Sequence, residues 1–369
     1  MNYNWQQSNW QQSNWPQFDF DASSVEAELL QFSDLAGQVS GVVRALPDGL
    51  QTEAIIDLMI AEAIKTSEIE GEFLSRNDVT SSIRNGLGLN SPLELVKDNA
   101  SSGAAQLMLA VRDSWDARLT QESLFEWHRT LLTGTRSTIQ IGAWRTSEAP
   151  MQVISGQYGR IKVHFEAPPA ALLPGEMEQF FAWFNQSRTQ IRHAPVRAAI
   201  AHLYFESLHP FDDGNGRIGR AIAEKALSQG LGRPALISLS RTIDADRKAY
   251  YTALEYAQQS LEITPWVSYF TRVVLDAQKE ADAQINFILQ KTKFFDRYKA
   301  TLSARQRSVI ERMLEAGAAG FEGGMNARKY SALTKVSKAT ATRDLQALAQ
   351  EGVFVPCGSG RSVRYELNL

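Results

Sequence analysis

The sequence predicts a mainly α-helical protein with one short β-hairpin and a separate carboxy-terminal module. Apolar residues recur at helical spacing through most of the chain, as in DGLQTEAIIDLMIAEAIKTSEIEGEFL. The segment MQVISGQYGRIKVHFEAPP instead alternates apolar and polar residues around a glycine-rich turn, which is typical of a hairpin. From about Arg297 the charge changes sign, because residues 297–369 carry a net charge of +6 within a chain of net charge -3. A different module therefore begins there.

Length and composition limit what the protein can be. A chain of 369 residues is long enough for two or three domains. Its near-neutral charge argues against wholesale binding to nucleic acid, although not against a local basic patch. The single cysteine, Cys357, excludes an intramolecular disulfide and fits a reducing compartment. Because no apolar run approaches about 18 residues and the amino terminus is polar, we expect a cytoplasmic protein without a membrane span or secretory signal.

We divide the chain into three regions. Residues 1–97 form an amino-terminal helical region with a long helix at about 53–72, residues 98–285 form the core, and residues 290–369 form the basic module. The chain starts with two tandem copies of WQQSN, followed by a third tryptophan before Pro16. Because Asn, Ser and Gln favour local turns over helix, we interpret this segment as a structural arm whose indoles dock on the body of the protein.

The most informative stretch is LHPFDDGNGRIGRAIAEKAL, residues 208–227. Gly214, Asn215 and Gly216 can adopt backbone angles that point successive N–H groups at one anion. The helix that begins there adds the positive end of its dipole, which favours a phosphate. Arg217 and Arg220 are three residues apart on one face of that helix and can bind further phosphate oxygens.

Three other residues of this stretch complete a site for phosphate chemistry. Asp213 lies at the lip of the turn, where a carboxylate can hold Mg²⁺ between two phosphates. His209 lies on the preceding loop and can accept a proton from an incoming hydroxyl. Phe211 is interpreted as the anchor that holds the loop in the core. Taken singly these residues are more typical of ordinary structure, but the ordered string H-P-F-x-D-G-N-G-R-x-x-R is far more restrictive.

This string resembles the signature of the Fic family at every position from His209 to Arg220. The resemblance implies transfer of AMP from ATP to a Ser, Thr or Tyr hydroxyl of a target protein. His209 would be the general base, Asp213 the Mg²⁺ ligand, and residues 214–216 the phosphate cradle. Arg217 would bind the β-phosphate region and Arg220 the γ-phosphate. The Doc-like kinases of this superfamily carry Lys where this chain has Gly216, so the glycine favours AMP transfer.

Two further segments are similar to elements of the same family. The predicted hairpin resembles the family's flap, whose open edge aligns a target peptide by backbone pairing. Its strand residues Ile161, Lys162, Val163 and His164 would form that edge. The segment RKAYYTALEYAQ resembles the helix that closes the adenine pocket, with contacts from Tyr250, Tyr251 and Gln258. Ordinary core packing is the alternative for these three residues.

A second pattern indicates a built-in inhibitor. In KTSEIEGEFLS, residues Thr66, Glu70 and Gly71 fit the family's inhibitory pattern [S/T]-x-x-x-E-[G/N]. Thr66 and Glu70 are one helical turn apart, so a carboxylate delivered to Arg220 would occupy the guanidinium that the γ-phosphate needs. The alternative is a plain solvated helix face, which is how we interpret Glu68 and Glu72. In some related enzymes the same glutamate instead positions a water that removes AMP.

The basic module is predicted to be a winged helix. Residues 303–369 have the rhythm of three helices followed by two strands around a Gly-Ser-Gly turn, with a helix–turn–helix near Val336. Such a module binds DNA through its second helix and basic side chains, and the candidates here are Lys335, Lys338, Arg343, Arg361 and Arg364. Winged helices also serve as protein-docking or dimer modules.

The resulting prediction is an auto-inhibited Fic adenylyltransferase that uses Mg²⁺ and ATP. Two other hypotheses use the same residues: an enzyme that removes AMP with the help of Glu70, and a DNA-binding regulator whose core senses nucleotide. The family resemblance also implies a homodimer.

Overall fold

The structure is a computed structural model that describes residues 8–134, 139–155, 162–317, 320–358 and 362–369. The chain forms two compact units. The first contains residues up to 40 together with residues 55–281, and the second contains residues 41–54 together with residues 282–369. The division that we expected near residue 97 lies inside the first unit.

The described residues are mainly helical, in agreement with the predicted fold class. Fourteen α-helices follow one another in this part of the chain: α1 (Glu26–Ala45), α2 (Asp48–Ile69), α3 (Arg76–Gly86), α4 (Asn99–Asp113), α5 (Gln121–Leu131), α6 (Leu173–Gln190), α7 (Ala194–Leu208), α8 (Asn215–Leu231), α9 (Leu239–Ala245), α10 (Arg247–Ala257), α11 (Thr264–Tyr298), α12 (Ala304–Leu314), α13 (Ala327–Thr334) and α14 (Lys338–Gln350). None of these helices is both long enough and apolar enough to cross a bilayer.

Helices α7 and α8 form the centre of the first unit. Every residue of α7 is buried, and its extensive contact with α8 places both helices in the middle of the helical core. The proline at the start of α7 suits a first helical turn, because its missing N–H would have no helical partner there. The motif loop, residues 209–214, joins the end of α7 to the start of α8. The core therefore holds this loop at both of its ends.

A two-stranded antiparallel sheet confirms the predicted hairpin. Strand β1 (Gln152–Ser155) pairs with β2 (Lys162–Glu166), and Val153 lies opposite Phe165. The register shifts after Val153, so that Ile154 lies opposite Val163. Residues 156–161, which include the flap residue Ile161, lie outside the described residues.

The second unit has its own hydrophobic core. Helices α12, α13 and α14 are followed by the antiparallel strands β3 (Phe354–Cys357) and β4 (Arg364–Leu367). Their shared core includes Val309, Ile310 and Tyr330, all fully buried. This order of elements is the one that we expected, whereas the assignment of the unit to the winged-helix class stays a prediction.

Candidate active site

The motif loop opens onto a cavity of about 580 Å³ in the first unit. Its walls come from the end of α7, the start of α8, the hairpin, helix α10 and the residue that follows α2, and they include Glu70, Val153, His164, Glu206, His209, Gly216, Tyr251, Glu255 and Gln258. Binding sites for small molecules have volumes of about 300–1,000 Å³. The cavity is therefore large enough for a nucleotide.

His209 ends α7 in the left-handed conformation, with φ of +46°. Its N–H still donates to the Phe205 carbonyl at 2.9 Å, and its own carbonyl accepts from Arg145 Nε at 2.9 Å. Burial, together with the nearby charge of Arg145, lowers the pKa of His209 to about 4. The imidazole is therefore neutral at neutral pH, which is the form that accepts a proton.

The turn after His209 is a tight glycine turn that leads directly into α8. Gly214 has φ of +81°, a conformation that favours glycine, and α8 begins at the next residue. The Asn215 side chain bonds both the N–H and the carbonyl of Phe211, at 2.9 and 2.8 Å, and so closes the loop on itself. Phe211 is fully buried, as expected for the anchor of the loop. The N–H groups at the start of α8 therefore point outward from a rigid loop.

Two residues that the sequence analysis missed support this loop. His128 on α5 stacks on the Phe211 ring, and its Nε2 lies 3.1 Å from the Asp213 carbonyl. Its Nδ1 accepts from the Gly142 N–H at 2.8 Å. Arg145 holds the carbonyls of both His209 and Pro168, which ties the loop to the chain that leaves the hairpin. A histidine and an arginine in separate segments carry no local sequence signal for such a role.

Both motif arginines bind acidic residues from one segment. Arg220 is almost fully buried, and its Nη2 donates to Glu70 Oε1 at 2.8 Å and to the Thr66 carbonyl at 2.8 Å. Its Nε donates to Thr66 Oγ1, also at 2.8 Å. Arg217 Nη1 lies 2.5 Å from Glu72 Oε2. Glu72 was interpreted as part of a solvated face, and that interpretation is wrong because its carboxylate pairs with Arg217.

The segment that carries these acids differs slightly from the predicted helix. Helix α2 ends at Ile69, so Glu70 and Gly71 lie in a turn rather than inside a helix that continues to about 72. Gly71 has φ of +81°, which allows the chain to leave the helix at this point. The Glu70 carboxylate lies against Gly216, where a Cβ atom would collide with it. The glycine of the motif thus leaves room for the acid.

Glu206 is a buried acid that the sequence analysis did not select. It lies one turn before His209 in α7, and its Oε2 is 3.8 Å from His209 Nδ1. Burial, together with the negative charge of Glu70, raises the pKa of Glu206 to about 8. Its carboxyl group is therefore mostly protonated at neutral pH. The available signal was a single charged residue within the apolar run AHLYFESL.

Helix α10 contributes three predicted residues to the cavity, but not equally. Tyr250 is buried and its hydroxyl lies 2.8 Å from His202 Nε2, and the Gln258 amide donates to the Glu206 carbonyl at 3.1 Å. Both side chains are thus engaged within the protein. Tyr251 lines the cavity and is 43% exposed, and its hydroxyl donates to the Ile69 carbonyl at 3.4 Å. Tyr251 is therefore the best placed of the three to contact a ligand.

The hairpin faces the same cavity. Val153 and His164 line it, and His164 Nδ1 lies 2.8 Å from Glu255 Oε2 on α10. Lys162 and Val163 lie in β2, as predicted for the flap. The His164–Glu255 contact joins the hairpin to the helix on the other side of the cavity.

Asp213 directly precedes Gly214 and is the residue predicted to bind Mg²⁺. Its side chain is 55% exposed, and its Oδ1 accepts from the Gly214 N–H at 2.6 Å. Among the described residues, no group of three or more His, Cys, Asp or Glu could hold a metal ion. One carboxylate beside a phosphate site nevertheless fits Mg²⁺, which binds one or two carboxylates and completes its coordination with phosphates and water.

The basic candidates of the second unit lie around one turn and one strand. Lys335 ends α13 with φ of +59°, and Lys338 and Arg343 lie on α14. All three are exposed, as is Arg364 on β4. Arg361 lies outside the described residues.

Two ranges of the chain match known protein families, and one of them contains the site. Residues 118–227 match the model of the Fic/DOC family, and this range contains α5, the hairpin, α6, α7 and the motif. Residues 118–227 form a Fic/DOC domain. Residues 3–89, which include the amino-terminal arm and α2, match a domain of unknown function, DUF4172.

Named relatives and solved structures agree with this assignment. The protein adenylyltransferase Fic of Drosophila willistoni is 26% identical over 211 residues, and that of Aedes aegypti is 28% identical over 155 residues. These matches cover 54% and 41% of this chain, but only 38% and 27% of the relatives. A Fic family protein from Desulfovibrio desulfuricans G20 has a TM-score of 0.54 at 18% identity, with 95% of this chain and 98% of that chain covered. Fic-1 (residues 134–508) from C. elegans has a TM-score of 0.51 at 20% identity, with 70% and 72% covered.

Proposed function

We propose that this chain is a protein adenylyltransferase that is held inactive by Glu70. It would transfer AMP from ATP to a Ser, Thr or Tyr hydroxyl of a target protein. The observation that carries the proposal is the convergence of His209, Gly216 at the start of α8 and Glu70 on one cavity, with Arg220 bonded to Glu70, within a Fic/DOC domain. The named relatives, which are called protein adenylyltransferases, support the same reaction class.

The reaction uses His209 as a general base. The hydroxyl oxygen of the target forms a bond to the α-phosphorus, and His209 takes the hydroxyl proton. The bond between the α-phosphorus and the oxygen that bridges to the β-phosphate breaks, and pyrophosphate leaves. The product is a phosphodiester between AMP and the target side chain. The N–H groups at the start of α8 stabilise the charge that builds up on the phosphate oxygens.

Three side chains of the motif would hold the triphosphate. Arg217 binds the β-phosphate region and Arg220 the γ-phosphate, because guanidinium groups bind phosphate oxygens through several N–H groups at once. Asp213 would hold Mg²⁺, which neutralises phosphate charge and fixes the geometry of the triphosphate when it is bound. Tyr251 would contact the adenine base.

Glu70 blocks this arrangement at Arg220. The guanidinium already bonds the Glu70 carboxylate and two oxygens of Thr66, so a γ-phosphate would have to displace the acid. A triphosphate that cannot reach Arg220 places its α-phosphate away from in-line attack, and transfer is slow. Removal of the Glu70 carboxylate restores the guanidinium to the substrate.

The decisive experiment is a transfer assay with ATP labelled at the α-phosphate. We expect weak labelling of protein by the wild type, strong labelling by Glu70→Gly, and none by Glu70→Gly/His209→Ala. ATP labelled at the γ-phosphate is the matched control, because AMP transfer leaves no γ-label on protein. Label from the γ-position would indicate phosphoryl transfer and contradict the proposal.

Absence of α-label in Glu70→Gly, with nucleotide binding intact, would favour one of the other two hypotheses. Removal of AMP from a pre-modified protein, lost in Glu70→Gly, would indicate the AMP-removing enzyme, in which Glu70 positions a water.

A second candidate function, DNA binding, is favoured by the cluster of exposed Lys335, Lys338 and Arg343 around the turn into α14. These cations have the placement that contacts phosphates in helix–turn–helix proteins. A salt-dependent gel shift of the full chain, weakened in Lys338→Ala/Arg343→Ala, would support it. No shift at low salt would exclude it.

A further inference from the structure

The amino-terminal arm, residues 8–19, contacts the elements that form the active site. Asn9 is fully buried although it is polar, and its main-chain N–H donates to the Gln258 carbonyl at the end of α10 at 2.8 Å. Its side-chain Nδ2 donates to Ser207 Oγ at 2.9 Å. Because buried polar groups are costly unless they are bonded, each of these contacts holds Asn9 in one position.

These bonds form a closed ring around the last turn of α7. Asn9 binds both Ser207 and Gln258, and the Gln258 amide donates to the carbonyl of Glu206, the neighbour of Ser207. The ring therefore fixes residues 206 and 207 against the end of α10. His209 follows two residues later, so any movement of this turn moves the imidazole.

The next residue of the arm holds the hairpin. The Glu166 carbonyl, at the end of β2, accepts from Trp10 Nε1 at 2.7 Å and from Ser8 Oγ at 3.1 Å. The Trp10 N–H donates to Asn9 Oδ1 at 2.8 Å, which joins the hairpin contact to the ring. The arm thus connects β2, α7 and α10, which are three of the elements that line the cavity.

We propose that Asn9 and Trp10 are positioning residues for the transfer reaction. They hold the hairpin, His209 and the end of α10 in the relative positions that in-line attack requires. Displacement of reacting groups by about 1 Å can reduce a rate by about two orders of magnitude. The consequence for catalysis rests on the proposed function, whereas the connection between the arm and the hairpin does not.

The tandem repeat supplies a matched control. Trp15 directly follows the second repeat, at the same five-residue spacing that separates Trp5 from Trp10, but its Nε1 donates to Glu176 on α6 at 2.8 Å. Its ring packs edge-on against Tyr204, with centroids 5.0 Å apart. Neither partner lines the cavity. A Trp→Phe change therefore removes one indole N–H bond at either site, and only Trp10 contacts the hairpin.

The test compares Trp10→Phe, Trp15→Phe, Asn9→Ala and Ser207→Ala in the full-length Glu70→Gly protein. Hydrogen exchange of the β2 amides should be about three- to tenfold faster in Trp10→Phe and unchanged in Trp15→Phe, because one hydrogen bond to the hairpin is lost. Asn9→Ala and Ser207→Ala should each lower kcat about tenfold, while KM for ATP changes less than about threefold. Asn9→Ala/Ser207→Ala should lose no more than Asn9→Ala alone, since Asn9→Ala has already broken the bond that Ser207→Ala removes.

Equal effects of the two Trp→Phe changes on β2 exchange would overturn the connection between Trp10 and the hairpin. A rise in KM with unchanged kcat in Asn9→Ala would overturn the positioning of His209. A loss of kcat in Asn9→Ala/Ser207→Ala equal to the product of the two single losses would overturn it as well. If Glu70→Gly itself transfers no label, the proposed function fails. The exchange comparison still decides whether the arm holds the hairpin.

Discussion

At the scale of single residues, the two motif arginines are bound by two different acids. Glu70 occupies Arg220, and Glu72 occupies Arg217 in a more exposed contact. A triphosphate that binds both arginines has to displace both carboxylates. Release of Glu70 alone therefore leaves the Glu72 carboxylate in competition with the triphosphate for Arg217.

We predict that Glu70→Gly/Glu72→Gly transfers AMP about two- to fivefold faster than Glu70→Gly at subsaturating ATP. The gain is modest because Glu72 is 41% exposed and its ion pair is screened by solvent. Initial rates of α-phosphate transfer measure it. Glu68→Gly is the control, because Glu68 pairs with Lys65 rather than with a motif arginine. Equal rates with and without Glu72 would exclude a role for this residue.

The buried Glu206 predicts a pH dependence of stability. Its pKa is raised to about 8 in the folded protein, so the folded chain keeps a proton that the unfolded chain loses near pH 4.5. The folded state therefore binds more protons between these values, and its stability falls as the pH rises through about 8. The contribution of Glu206 to the stability of the folded state is fully present only below about pH 4.5.

Glu206→Gln should remove this dependence, because glutamine stays neutral. We expect its free energy of unfolding to exceed that of the wild type by at least about 1 kcal/mol at pH 8 and to differ little at pH 5. Chemical denaturation at the two pH values measures this. Glu178→Gln, at an exposed position of α6, is the control. Parallel pH curves for Glu206→Gln and wild type would show that Glu206 ionises normally.

At the scale of secondary-structure elements, α2 is attached to the start of α9 by one buried acid. Glu62 is 5% exposed and accepts from Ser238 Oγ at 2.8 Å, from Ser240 N at 2.9 Å and from Ser240 Oγ. The bond to Ser240 N satisfies an N–H group of the first turn of α9, which has no partner within its own helix. The helix that leads to Glu70 is therefore held by a specific contact.

We predict that Glu62→Ala lowers the free energy of unfolding by about 2–4 kcal/mol, because three buried donors lose their acceptor. Glu62→Gln keeps one acceptor oxygen, so its free energy of unfolding should fall by less than that of Glu62→Ala. Urea denaturation compares the two. A loss below about 0.5 kcal/mol in Glu62→Ala would mean that water replaces the carboxylate without cost.

At the scale of the whole molecule, the two compact units can be followed separately. All eight tryptophans of the sequence fall within residues 1–40 and 55–281, so tryptophan fluorescence reports on the first unit alone. The proposed nucleotide site lies in that unit. A ligand that binds only the folded state stabilises the unit that binds it.

We therefore predict that Mg²⁺ with ATP raises the thermal midpoint reported by tryptophan fluorescence in Glu70→Gly. His209→Ala should retain the shift, since the base is not needed for binding. A fluorescence midpoint that ATP leaves unchanged would contradict nucleotide binding in the cavity.

The local features of the site were predictable from the sequence. The glycine turn, the start of α8 and the hairpin each depend on residues within a few positions of one another. Turn conformation and helix periodicity are set by residues that are close in the sequence, so residue type and spacing predict these features. The Thr66–Glu70 pattern was recognisable because it resembles the inhibitory pattern of the Fic family, and its two residues lie one helical turn apart.

The remaining features depend on contacts between distant segments. Asn9 reaches Ser207 across 198 residues, and Glu72 reaches Arg217 across 145. Helix α7 is buried on all sides, so no amphipathic stripe indicates which face of it meets the cavity. Burial then raises the pKa of Glu206 and lowers that of His209, and burial is a property of the packed core. Local spacing therefore predicted the motif, whereas the packing of remote segments against it decided which charges, partners and protons the site contains.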